Sequence, residues 1–63
     1  EALFAALDRV AQYPDAGRHR DDLKAGVRSW PIRSHVLFYR VLDGRVEVAR
    51  VLHHRQDSRR AFG

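Results

Sequence analysis

The sequence of 63 residues has no cysteine, no methionine, only two prolines and a single lysine among its twelve cationic side chains. Without cysteine there is neither a disulfide framework nor a thiolate site, which fits a reducing compartment and makes the cytoplasm the expected location. No apolar run approaches the ~20 residues needed to span a bilayer, and no signal peptide is visible, so no membrane association is expected. Glycine-rich phosphate loops, nucleophile–base motifs, internal repeats and low-complexity tracts are all missing.

What remains is ordinary in bulk and unusual in charge. The apolar fraction of 44% is that of a globular chain, and the length bounds it to one domain over residues 1–63. A core this small is expected to need a partner or a further segment for stability. The chain opens at Glu1 already within a helical pattern and is expected to be a fragment. Twelve cations against eight acids give +4, and eleven of the twelve are arginine. Arginine forms bidentate contacts with phosphate and carboxylate alike, so nucleic acid and an acidic protein partner both enter consideration, beside a merely solvated basic surface.

The organising stretch is His35–His53, two β-branched and aromatic runs around Asp43-Gly44. Asp-Gly between such runs is a strong hairpin signal, because a type I′ turn requires positive φ at both central residues. Strands are expected at 35–42 and 45–53. Upstream, Leu3, Phe4, Leu7, Val10 and Ala11 form one apolar stripe, predicting a helix over 1–12 that ends before Tyr13-Pro14. Residues 14–26 read as a solvent-facing connection anchored by Leu23. Residues 27–32 read as a strand that Pro31 confines to an edge, and Arg33-Ser34 as a short turn. The polar, basic segment after His53 reads as a tail or one weak helical turn. The expected fold class is α+β, a helix followed by a three-stranded antiparallel sheet.

A two-residue turn sets the pairing. Leu42 faces Arg45, Arg40 faces Glu47 in a favourable cross-strand charge pair, and Tyr39 faces Val48. Carried onward without interruption, the ladder sets Leu37 against Arg50 and His35 against Leu52. The bulkier face, with Trp30, Ile32, Leu37, Tyr39, Val41, Val46, Val48 and Leu52, is then expected against the helix, with Arg50 and His35 near its end. The other face mixes an apolar strip (Val36, Phe38, Val51) with Arg40 and His53. A bare strip of that kind is a candidate binding surface.

In this pattern the chain resembles the RelE/ParE superfamily of type II toxins, in particular its ParE branch. The matching residues are Pro14-x-x-Gly17-Arg18, Gly26-x-Arg28-Ser29, His35-Val-Leu-Phe-Tyr39-Arg40 and Val48-Ala-Arg50-Val-Leu-His53-x-Arg55-x-Asp57. The resemblance implies an antiparallel sheet packed on a helical hairpin and neutralisation by a cognate antitoxin whose disordered segment folds on the toxin. It further implies DNA gyrase as target for ParE-like members and ribosome-bound mRNA for RelE-like ones. Family members begin with a strand and a helix, so residues 1–12 correspond to the end of the second helix, and the chain to the C-terminal two thirds.

Contact with a target or antitoxin is expected at Val36, Phe38, Arg40, Arg50, Val51, His53 and Arg55. A metal-independent RNase would need a general base, a general acid and cations at the phosphate, which His53, Arg50 and Arg55, with His54 beside them, could supply. Against that reading, RelE-like nucleases carry an arginine where this chain has Val36. A non-catalytic inhibitor is therefore the leading expectation, without cofactor, with an mRNA endoribonuclease or an inactive toxin fragment as the alternatives. No metal site is expected, because His53 and His54, as strand neighbours, point to opposite faces. Direct nucleic-acid binding is not expected either: Trp30, Tyr39 and Phe38 divide between two faces and form no stacking platform.

Overall fold

The computed structural model describes residues 2–63. Helix α1 runs Ala2–Gln12, and the helix start expected at Glu1 lies outside the described residues. A 3-10 turn at Pro14–Ala16 leads to the short strand β1 (Arg18–His19), followed by β2 (Arg28–Ile32), β3 (His35–Leu42), β4 (Arg45–His53) and a five-residue helix α2 (Ser58–Phe62). The sheet is antiparallel throughout, in the order β1-β2-β3-β4. The fold is α+β, with four strands rather than the expected three. Arg18 and His19, read as loop, pair with Ser29 and Arg28 and form the extra strand.

The β3–β4 turn has the backbone its sequence requires, with φ of 51° at Asp43 and 73° at Gly44. From it the ladder begins as expected, with Leu42 on Arg45, Arg40 on Glu47 and Tyr39 on Val48. It then breaks. Between Phe38 and Tyr39 the register shifts by one, so Phe38 faces Arg50, Leu37 faces Val51, Val36 faces Leu52 and His35 faces His53. Ala49 is the extra residue, a β-bulge in β4. Because side chains alternate with period two, one inserted residue moves everything beyond it to the other face.

Two cores result, one on each face. On the first, Ala6 and Val10 of α1 pack on Ile32, Leu37 and Tyr39, with Leu3, Leu7, Trp30 and Val46 at the margin. Phe4, which the apolar stripe includes, is 65% exposed and contributes nothing to this core. On the second face Val27, Phe38 and Leu52 are buried beneath Leu23, Ala61 and Phe62. The expected bare strip is thus covered: Phe38 is 1% exposed and Leu52 belongs to this second core, while Val51 has crossed to the helix side. Arg50 crosses in the opposite sense and is solvent-exposed.

The connection 14–26 is ordered by contacts that come from the sheet. Arg28 donates from Nη1 to the carbonyl oxygens of Asp15 (3.1 Å) and Gly17 (2.9 Å), and Tyr39 Oη donates to the Pro14 carbonyl at 2.8 Å while accepting from Gly17 N–H at 3.0 Å. Farther on, Arg20 grips Asp22 in a two-pronged pair, Nε to Oδ1 and Nη2 to Oδ2, each 3.0 Å. The hydrogen bond from Arg20 holds the Asp22 carboxyl below the ordinary aspartate range. A carboxyl with a depressed folded-state pKa stabilises the fold at pH above its unfolded value, about 3.9, and that contribution is lost as pH falls through the folded value. An NMR pH titration is expected to place the Asp22 midpoint below the ordinary aspartate value of about 3.9, and Arg20→Ala to raise it; a midpoint unmoved by Arg20→Ala would refute the assignment.

Candidate functional site: the histidine end of the sheet

The functional side chains named from sequence gather less closely than their spacing implied. At the end of β4 three imidazoles meet: His35 and His53 lie edge-to-face with ring centres 5.2 Å apart, and His53 and His54 stack at 4.5 Å with planes 28° apart. Adjacent histidines can stack here because β4 ends at His53 and His54 already belongs to the following turn, so the strand alternation that would send them to opposite faces no longer applies.

The turn fixes both rings. His54 N–H donates to the Ser34 carbonyl at 2.8 Å, and His54 Nδ1 lies 2.8 Å from the same oxygen. A carbonyl only accepts, so His54 Nδ1 carries the proton and Nε2 is left as an acceptor. His53 Nδ1 instead accepts from Arg55 N–H at 3.2 Å, which in a neutral ring puts the proton on Nε2. The side-chain oxygen of Gln56 takes the His53 N–H at 2.7 Å. Neighbouring rings therefore present opposite outer faces, one donor and one acceptor. Beside them, between the start of α1 and the strand ends, a shallow recess is lined by Leu3, Ile32, Arg33, His35 and Val51.

Arg50 stands apart from this cluster. It shares the second face with Phe38, and its guanidinium carbon sits 6.0 Å from the centre of the Phe62 ring. Arg40 is on that face as well, paired with Glu47 at 2.7 Å. Phe62 packs edge-to-face on Phe38 at 5.2 Å, and half-buried Val36 belongs to the same cluster. So the position where a nuclease relative would carry an arginine is part of an apolar core. Helix α2 is held over it by Asp57, whose side chain accepts from Arg59 and Arg60 N–H. The signal that could have located α2 is Asp57 itself, an N-cap residue type, but the polar composition of the segment that follows hides the helix.

Of the sequence-named residues, Val51, His53 and Arg55 come together around one end of the first face, while Val36, Phe38, Arg40 and Arg50 lie on the second. Among the described residues no group of three or more His, Cys, Asp or Glu could hold a metal ion, and no helix is long and apolar enough to cross a membrane. The Tyr39–Gly17–Pro14 and Arg28 contacts were not singled out by sequence reasoning, although Gly17, Arg28 and Tyr39 all fall in the family-like stretches.

Residues 1–58 match the family model described as the ParE toxin of the type II toxin–antitoxin system. The chain is 46% identical over 56 residues to Toxin ParE1 of Mycobacterium tuberculosis (strain ATCC 25618 / H37Rv), covering 87% of this chain and 57% of that protein. It is 41% identical over 61 residues to Toxin ParE1 of Caulobacter vibrioides, covering 97% of this chain and 62% of the relative. The chain thus spans less than two thirds of the length of these curated relatives. By the extent of the family match and the level of identity, this chain belongs to the ParE toxin family of type II toxin–antitoxin systems.

Proposed function

We propose that this chain is a cytoplasmic toxin, or a fragment of one, that acts by protein–protein contact on a type II topoisomerase, DNA gyrase, and is neutralised by a cognate antitoxin. The observation that carries the reading is the apolar packing at Val36. A nuclease site needs cations aimed at a phosphate, and this position lies instead in the cluster of Phe38, Leu52 and Phe62. The contact surface combines the recess beside Val51, His53 and Arg55 with Arg40 and Arg50 on the opposite face. Val36 and Phe38 serve it from beneath, as packing. Arginine at such surfaces is a frequent energetic anchor.

The test is a supercoiling assay with the purified protein. Inhibition of gyrase is expected, and Arg50→Ala is expected to weaken it about three- to tenfold. Because Arg50 is exposed and its one aromatic neighbour is a distant cation–π contact, the same substitution is expected to cost under about 1 kcal/mol of stability. A second reading, metal-independent mRNA cleavage, draws on the opposed donor and acceptor of His53 and His54. A protein that leaves gyrase untouched and cuts ribosome-bound mRNA would replace the first reading with the second.

A further inference from the structure

We propose that the cavity between α2 and the hairpin end of the second face is a carboxylate site, in which Lys24, Arg40 and Arg50 receive an acidic side chain of a polypeptide partner. The assignment rests on Arg40 and Arg50 belonging to a protein-contact surface, and it names the chemistry that surface selects. The cavity measures about 320 Å³, and its lining includes Lys24, Val27, Arg40, Glu47, Arg50 and Phe62. It lies on the face of the sheet opposite α1. A helix packed beside α1 would therefore not cover it, and a strand added along β4 would stand beside it rather than over it.

Three local devices bring the cations together. Val27 N–H donates to the Lys24 carbonyl at 3.1 Å, closing the turn that sets Lys24 beside the buried Val27. Arg40 projects from β3 and is held by its bond from Nη2 to Glu47 Oε1. Arg50 reaches this face only through the bulge. It is three residues from Glu47, a spacing that in a regular strand sends two side chains to opposite faces. The extra residue at Ala49 brings both onto one face.

Within the cavity three cations surround one carboxylate. Glu47 engages Arg40, while Lys24 and Arg50 have no acidic partner within ion-pair distance among the described residues. Both of these side chains belong to exposed residues. Arg40 is itself under-satisfied, since its Nε is buried and has no hydrogen-bond partner. Surplus positive charge and unpartnered N–H groups match an anion with acceptor oxygens. A carboxylate fits better than a phosphate dianion, because Glu47 stays in the cavity and repels the higher charge more strongly. The half-buried Phe62 ring adds an apolar wall for the methylene stem of a glutamate.

The test is an NMR titration of the purified protein with the blocked tripeptide acetyl-Ala-Glu-Ala-amide, its Gln counterpart and inorganic phosphate, at matched ionic strength. The Glu peptide is expected to shift the Nε–H resonances of Arg40 and Arg50, with a dissociation constant on the order of 1–10 mM. The Gln peptide is expected to shift neither, and phosphate to bind more weakly than the Glu peptide. R50Q and K24Q are each expected to weaken binding about two- to fivefold, and E47Q, which removes the competing carboxylate, to tighten it by a similar factor. R9Q removes one charge from the opposite side of the sheet and is expected to leave the constant unchanged. Circular dichroism confirms that each variant is folded; should one unfold, the remaining variants and the three ligands carry the comparison. No shift at Arg40 and Arg50, for instance because residues of the protein's own chain fill the cavity, would overturn the proposal. So would phosphate or the Gln peptide binding as tightly as the Glu peptide, or R9Q weakening binding as much as R50Q. Gyrase plays no part in this readout, so a protein that binds the Glu peptide and leaves gyrase untouched would lose the target and keep the site.

Discussion

Phe38→Ala is expected to remove about half or more of the stability of the fold. The ring is 1% exposed, sits between Val27 and Leu52, and meets Phe62 edge-to-face at 5.2 Å. Truncating a buried phenylalanine removes its transfer energy and leaves a cavity, together about 3–5 kcal/mol. A domain of this length commands about 3–9 kcal/mol in total, on the usual scale per residue. The same substitution separates two readings of the residue. If Phe38 lay on an open binding surface, its loss would leave the melting curve alone and reduce partner binding. A thermal melt by circular dichroism in which Phe38→Ala retains a transition within a few degrees of the parent would show that the second core is dispensable. Phe62→Ala, at the rim of that cluster and half-buried, is expected to be milder.

Gly17→Ala is expected to cost about 1–3 kcal/mol, the range for overpacking a filled site. Gly17 is not needed for its backbone freedom, since φ is −69° and ψ 150°, which any residue adopts. It is needed because there is no room: a Cβ there would overlap Tyr39 Oη and stand 2.8 Å from both Cε1 and Cζ of the same ring. Tyr39 cannot retreat, being fully buried and tied through its hydroxyl to Gly17 N–H and the Pro14 carbonyl. At about 4–8 °C per kcal/mol for a chain this short, Tm should fall by roughly 5–20 °C. Tyr39→Phe alone should cost about 1–3 kcal/mol by leaving those two backbone groups unpartnered. The double variant Gly17→Ala/Tyr39→Phe should lose less than the two single losses combined, because the hydroxyl is the nearest obstruction to the new methyl group. Strict additivity would mean that the two residues do not meet as the structure has them.

Where sequence reading worked, the determinant was local. Asp43-Gly44 specifies its own turn, and the spacing of Leu3, Leu7 and Val10 with Tyr13-Pro14 sets the body and end of α1. The pairing of Arg40 with Glu47 follows from the turn alone. It stopped working one step past Tyr39, at a bulge whose extra residue is an alanine, with no glycine to announce it. That single position explains why Leu52, Arg50, Val51 and His53 all sit on the face opposite the one expected; Arg50 and His53, three residues apart, fall on opposite faces with or without it. Strand β1 is two residues long and exists through pairing with Ser29 and Arg28, a contact across the chain that no local pattern encodes. Arg33, at φ 49°, takes a turn conformation usually left to glycine or asparagine, held by the strands on either side. The histidine stack depended on where β4 ends, and strand ends are the least legible feature of any sequence.

The bulge also bears on how this chain can change in length. Removing one residue from a paired strand ordinarily turns half of it inside out, so strand interiors resist deletion. Ala49 is different: it is opposite no residue of its own on β3, and excising it would leave Tyr39 on Val48, Phe38 on Arg50 and every later couple as they are. Within β4 it is the place where the gene could lose a codon and each remaining side chain keep its neighbours.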